Sequence, residues 1–535
     1  MRSRLWFVYL LVLALVALPF LFAVLSAGDD HVFVGFLLNP IDGNSYLAKM
    51  YQGWSGEWRF TLPFTADPGD GGYLFLFYLF LGHLARWLGL PLIVVFHLTR
   101  LFSALFMLLM LGRFMKVFLP DAGRPLFVFV LSALGSGLGW LVFPSGFLTS
   151  DFWVAEAYPF LSAYANPHFS LGLGLMLWML ILIEKDNVSS KRQFLKLISK
   201  GALPVILSLV LAILAPFGVV IVVVVLGGLI VWDLWENRHD VWSRRWKKIF
   251  TSTKFAHLIS LTIWICLGAG PVLVYDFAIA RLDPALAGWN AQNLTPSPPL
   301  WDLIVSFSPV LMIALLGSMY LVKHNDYKAR LFLVWAGVGV ALLYSPMGLQ
   351  RRFIMGLFIP FTALAGLGLA YLSEKGFGRI GLIVTLLMIL SLPTNLLVLL
   401  LGQYGVQTHD PLYYLTQAEA QALEWVEANT KPDGLVLASP EIGLFIPGQT
   451  GRRVIYGHPY ETVNAEAEQA ALVRFFESRD IKSVENFLFE RRVGYVFYGP
   501  RERALGELPE TSHLEMIYEE AGIKIFMVSA QTIAP

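Results

Sequence analysis

Met1-Arg2-Ser3-Arg4 is followed by LWFVYLLVLALVALPFLFAVLSA, residues 5–27. About twenty apolar residues in a helix cover the roughly 30 Å of bilayer hydrocarbon, so this run reads as a membrane helix. It is long for a signal-peptide core and carries no convincing small-residue cleavage site, so it is expected to stay in place as the first span. Arg2 and Arg4 then put the N-terminus in the cytoplasm. Similar apolar runs recur along the chain. Of 535 residues, 56% are hydrophobic and only 14% charged, with a mean hydropathy of +0.63. The fold class is a polytopic α-helical membrane protein. A formal net charge of +1 offers nothing for nucleic acid. The only cysteine, Cys266, lies within an apolar run, which excludes an internal disulfide and a cysteine-based metal cluster.

Positive charge orders the spans. Arg113 and Lys116, the segment from Lys185 to Lys200, the segment from Arg238 to Lys254 with Arg244-Arg245 and Lys247-Lys248, Lys323 to Arg330, and Lys375 to Arg379 read as cytoplasmic. Residues 28–90, 145–167, 281–300, 345–352 and the chain after 403 then face outward. This needs spans near 91–112, 124–144, 168–184, 203–215, 216–233, 257–279, 302–322, 331–345, 353–373 and 380–402, about eleven with the first. Residues 73–90 are expected as an interfacial or re-entrant helix carrying His83 and Arg86, because a full crossing would place Arg113 and Lys116 outside. Residues 203–233 are expected as two short spans broken at Pro216.

Beyond Leu401 the pattern becomes that of a soluble α/β domain. Helical periodicity at 418–426, 465–479 and 483–490 alternates with strand-like runs at 434–438 and 494–498. The chain thus divides into a membrane domain, 1–402, and an extracytoplasmic α/β domain, 403–535. The latter has no Gly-rich phosphate loop or nucleophile elbow and is not expected to host a reaction on its own.

The unusual polar residues gather in the outward loops. In Asn39-Pro40-Ile41-Asp42-Gly43-Asn44-Ser45-Tyr46, Asp42, Tyr46 and Lys49 fall at i, i+4 and i+7, on one side of a short interfacial helix. The spacing suits an acid held for chemistry and suits a solvated loop acid equally. The next loop holds Asp151, Glu156, Tyr158 and Tyr164, then Asn166-Pro167-His168, where Pro167 fits a first helical turn and His168 projects toward the surface. Gln350-Arg351-Arg352 lies on the face where positive charge is otherwise scarce. Its forked donors suit phosphate oxygens, with lipid-headgroup anchoring as the plainer reading.

With these motifs the chain resembles the polyprenyl-phosphate-sugar-dependent membrane glycosyltransferases of the GT-C superfamily, relatives of protein O-mannosyltransferases and aminoarabinose transferases. The likeness rests on Asp42 near Tyr46, the Gly53 to Trp58 turn, Asn166-Pro167-His168, Gln350-Arg351-Arg352-Phe353 and the C-terminal α/β domain. The chain departs from the commonest pattern in having Gly43 after Asp42, where an Asp-Glu pair is frequent. The resemblance implies sugar transfer from a lipid-linked monosaccharide at the outer face of the cell membrane. In that reaction Asp42 would accept the acceptor proton, and Arg351 and Arg352 would clamp the departing phosphate. Asp151 or Glu156 would orient the acceptor, or join Asp42 around a divalent cation (Mg or Mn). Tyr46, His83, Arg86 and His168 complete the expected substrate contacts, and a metal-free site is preferred because no tight cluster of acids is visible. A transporter or flippase of a lipid-linked saccharide shares the span count, but its ionisable residues would sit at mid-span rather than at one face. A polysaccharide polymerase or ligase of another membrane fold, or a mere anchor for the α/β domain, fits the distribution less well.

Overall fold

The computed structural model describes residues 2–184, 193–238, 253–324, 326–509 and 511–529. Much of the two most basic segments, residues 185–192 and 239–252 with Arg244-Arg245 and Lys247-Lys248, lies outside the described residues. The chain forms two compact units. One comprises Met1–Pro19, His97–Tyr275 and Thr295–Gly402; the other comprises Phe20–Phe96, Asp276–Leu294 and Gln403–Pro535.

Among the described residues, seven helices are long and apolar enough to cross a bilayer: Leu5–Leu25, Leu92–Phe118, Pro125–Ser145, Pro216–Glu236, Lys254–Leu282, Gln350–Glu374 and Ile380–Gln407. Leu300–Phe307 and Val310–His324 pass the same test as a pair bent by 83°. The protein is a multi-pass membrane protein. For two of the eleven expected spans the difference is one of length. Pro167–Ile181 has 15 residues and Tyr327–Leu343 has 17, reaching only about 22–26 Å at ~1.5 Å per residue. Gly201–Leu214 is part of a longer helix, Gln193–Leu214, whose 22 residues reach about 33 Å at that rise. The expected break at Pro216 is present: Ala215 leaves helical geometry at φ −153° and ψ 79°, and Pro216 opens the next helix.

The first unit is organised around Phe358–Glu374, which is apolar on every side and buried from Phe358 to Ala370. It packs against Val310–His324 at backbone contact, where a Cβ added to Gly317 would stand 2.0 Å from the Leu364 carbonyl oxygen. Polar groups inside this unit are satisfied by specific partners. The fully buried Arg100 donates through Nη1 to the carbonyls of Val16, Ala163 and Tyr164 at 2.9–3.2 Å. Arg330 makes a two-pronged pair with Glu236 at 2.5 and 2.6 Å.

The second unit combines the first long loop with the C-terminal region. β1 (His31–Phe33) pairs antiparallel with β2 (Tyr414–Thr416), aligning His31 with Thr416. Five more strands, β3 (Leu435–Leu437), β4 (Arg453–Val454), β5 (Tyr495–Tyr498), β6 (Leu514–Glu520) and β7 (Ile523–Val528), form a mixed sheet of order β4-β3-β5-β7-β6. β3 runs parallel to β4 and β5, while β7 is antiparallel to both neighbours. The helix Gln417–Asn429 is started by a capping box, in which the Thr416 hydroxyl accepts from the Glu419 amide and the Glu419 carboxylate from the Thr416 amide. Two helices of the first loop, α1 (Pro40–Ser55) and α2 (Leu76–Leu88), pack against each other. With 13 residues, α2 is too short to span hydrocarbon. Leu47, Met50 and Tyr78 share one core with Val436, Val454 and Phe497 of the sheet. The compact unit therefore extends beyond residues 403–535 to take in residues 20–96 and 276–294.

Candidate functional site

In the second unit, α1 begins after Asn39, which sits in the left-handed region at φ 53° and ψ 55°, with Pro40 in the first turn. Asp42 lies in that turn, where the unpaired amides of the helix start favour a negative charge. Its side chain is 48% exposed, and Oδ1 is 3.6 Å from Nε2 of His458, which is 2% exposed. The next residue is glycine for a steric reason: a Cβ on Gly43 would meet the ring of the buried Phe36 at 2.4 Å.

His458 belongs to a tight turn in the C-terminal part of the unit. Its Nδ1 accepts from the backbone amides of Tyr460 and Glu461, both at 3.1 Å. One and two turns of α1 beyond Asp42, Ser45 and Lys49 reach the same segment. Ser45 Oγ and Lys49 Nζ each donate to Glu461 Oε1 at 2.6 Å, and Lys49 also donates to Ser45 Oγ at 2.5 Å. Burial pushes the Glu461 carboxyl up, but the Lys49 ammonium, the neighbouring His458 and the two hydrogen bonds outweigh it and hold the group below its ordinary range. Lys49 is fully buried, with its ammonium 4.4 Å from the Phe75 ring centre and 5.2 Å from that of Tyr46. Tyr46 stacks on Tyr78, with ring centres 4.3 Å apart.

His83 and Arg86 lie on α2. The buried His83 contacts the Glu57 carbonyl through Nε2 at 3.1 Å and stacks on Trp58 at 4.1 Å. Arg86 is exposed in the last turn.

The first unit holds the remaining expected residues. Asp151 is fully buried: Oδ1 accepts from Thr149 Oγ1 at 2.6 Å and Oδ2 from the Gly139 amide at 3.0 Å. Burial pushes this carboxyl above its ordinary range, and those hydrogen bonds only partly offset the rise. Ser306 Oγ accepts from the Asp151 amide at 3.3 Å and donates to Asp302 at 2.6 Å. Glu156 is 9% exposed and 3.5 Å from Nη1 of Arg352, whose side chain is 35% exposed. The Arg351 guanidinium lies 4.7 Å from the Trp153 ring centre, and its amide donates to the Thr295 carbonyl at 3.1 Å. Asn166 opens the helix Pro167–Ile181, and the ring of the half-buried His168 packs on Phe169 with centres 4.0 Å apart.

Sequence reasoning named Asp42, Tyr46 and Lys49 but missed Ser45, His458 and Glu461. The signal for the latter two was His458-Pro459-Tyr460-Glu461, a turn with two ionisable groups three residues apart. Among the described residues, no group of three or more His, Cys, Asp or Glu side chains is arranged to hold a metal ion.

No protein-family model and no curated protein matches the sequence. Among solved structures, the chain is similar to the apo form of the oligosaccharyltransferase of Archaeoglobus fulgidus, at 13% identity over 99% of this chain and 75% of that one, with a TM-score of 0.54. It is similar to ArnT from Cupriavidus metallidurans in the apo state, at 13% identity over 96% and 97% of the two chains, with a TM-score of 0.51. It is also similar to the arabinofuranosyltransferase AftD from Mycobacteria, at 13% identity, covering 99% of this chain but 40% of that one, with a TM-score of 0.53. At such identities the likeness is one of fold.

Proposed function

We propose that this chain, which has the GT-C fold of those membrane glycosyltransferases, transfers a monosaccharide from a polyprenyl-phosphate donor to an acceptor hydroxyl. The supporting observation is the exposure of Asp42. Of the three carboxylates expected to do chemistry, it is 48% exposed, whereas Asp151 is fully buried and Glu156 is 9% exposed.

As general base, Asp42 takes the acceptor proton while the acceptor oxygen attacks the anomeric carbon. The bond from that carbon to the phosphate oxygen breaks, and its electron pair leaves with the phosphate. One displacement inverts the anomeric centre. Arg351 and Arg352 compensate the charge that develops on the phosphate. Trp153 supports the first guanidinium and Glu156 orients the second. Tyr46, Arg86 and His168 contact substrate, while His83, through Trp58 and Glu57, shapes the loop beside it. Asp151 supports the short helix that carries Trp153. No step is routed through a divalent cation, because no suitable set of donors stands together among the described residues. In this reading the N-terminus is cytoplasmic, residues 1–402 form the membrane part, and residues 403–535 lie outside.

The test is incubation of the purified protein with a panel of radiolabelled polyprenyl-phosphate sugars and candidate acceptors. Label should leave the prenyl phosphate for a product. Movement of intact donor across vesicle membranes without product would instead make the chain a flippase.

A further inference from the structure

We infer that His458 is the positioning partner of Asp42, an inference that rests on Asp42 being the base. A histidine ring whose Nδ1 accepts two backbone amide protons cannot carry a proton there without losing both bonds, so the neutral ring bears its hydrogen on Nε2. That nitrogen is buried, makes no hydrogen bond and stands 3.6 Å from Asp42 Oδ1. The separation is loose in the manner of unliganded sites, where catalytic hydrogen bonds shorten when substrate binds. Beside the turn, Glu461 and Lys49 neutralise each other at 2.6 Å. The rings of Phe64 and Tyr460, centred 5.5 and 6.2 Å from that of His458, flank the imidazole.

Oδ1 faces the imidazole Nε2, which orients the carboxylate as the contact shortens on substrate binding. Because Nδ1 accepts two backbone amides, it is the Nε2 hydrogen that the ring offers to Asp42. The Lys49–Glu461 pair and the Ser45 hydroxyl fix the turn that carries the ring.

His458→Asn separates the two duties of the ring. The asparagine oxygen sits near the place of Nδ1 and can still accept the two amides, but no N–H reaches Asp42. We expect a melting temperature near that of the parent, little change in KM for the polyprenyl-phosphate donor, and kcat lower on the order of 10- to 100-fold, the worth of one hydrogen bond to a charged group. His458→Gln, which places an amide N–H near Nε2, should recover part of the rate. Combining His458→Asn with Asp42→Asn should be no slower than Asp42→Asn alone.

Full activity of Asp42→Asn would overturn the base assignment itself. A slow Asp42→Asn beside a His458→Asn variant with parental kcat would overturn only the role of His458. If His458→Asn fails to fold, histidine ¹⁵N spectra of the parent decide: a ring protonated on Nδ1 at neutral pH overturns the inference. An Nε2–H ring whose resonance moves in Asp42→Asn upholds it.

Discussion

Lys49 and Glu461 are 412 residues apart in the chain and 2.6 Å apart in space, with the lysine wholly removed from solvent. Such a pair is costly to desolvate and still more costly to halve, because one partner alone leaves a buried charge without compensation.

Lys49→Met and Glu461→Gln should therefore each lower stability by about 3–5 kcal/mol, and Lys49→Met with Glu461→Leu should be less damaging than either. Thermal unfolding of detergent-solubilised protein measures this. The Glu461 carboxyl is held below its ordinary value of 4.5 in the folded chain. Its stabilising contribution is thus fully present above that value and lost as pH falls through the depressed folded value. A single Lys49→Met variant melting like the parent would show that the pair contributes nothing.

Asp42→Asn keeps the size of the side chain and removes its basicity. Turnover should fall about 10²- to 10⁴-fold with donor affinity nearly unchanged. Asp151→Asn and Glu156→Gln belong in the same assay, and a larger loss in either would move the base to the first unit.

Arg351→Lys and Arg352→Lys keep the charge and lose the fork. Each should cost on the order of 1–3 kcal/mol of transition-state stabilisation, and the alanine variants should cost more. Glu156→Gln should have a smaller effect through the freed orientation of Arg352. Parental donor binding and turnover in all four arginine variants would make the pair a headgroup anchor.

Gly43→Ala should lower stability by about 1–3 kcal/mol, because the new methyl carbon would meet the Phe36 ring at 2.4 Å. Gly43→Glu should be worse, although an acid follows Asp42 in the commonest pattern of the proteins this chain resembles. Unchanged melting in Gly43→Ala would mean that the ring gives way freely.

A reporter active only outside the cytoplasm, fused after Pro535, should be active, and a cytoplasmic reporter at the same point silent. The reverse pattern would invert the orientation proposed for the whole chain.

The membrane class was legible in the sequence because apolar length is a local property, as in residues 5–27. Pro216 was legible as a break because proline lacks the amide hydrogen a continuing helix needs. The strands at 434–438 and 494–498 showed themselves as β-rich runs, but the β6–β7 hairpin did not. Its exposed glutamates dilute the pattern, and Ala521 adopts a positive φ of 47° without announcing a turn. Asp42 stood out by its place in a short polar helix. His458 did not, since its meaning comes from a carboxylate 416 positions earlier in the chain. Asp151 and Asp42 look alike as loop acids. Only the folded chain, which buries one among Thr149, Gly139 and Ser306 and leaves the other open, separates them.

The pairing of Lys49 with Glu461 also sets a timetable for biosynthesis. A chain emerging at about 5–20 residues per second makes Glu461 roughly 20–80 s after Lys49. For that interval the lysine cannot be buried without leaving its ammonium uncompensated, so the first loop has to wait, open and wetted, while span after span is inserted behind it. A ribosome stalled near residue 402 would leave a chain with its membrane helices made and its first loop unfinished, the state in which quality-control proteases would find their easiest cut.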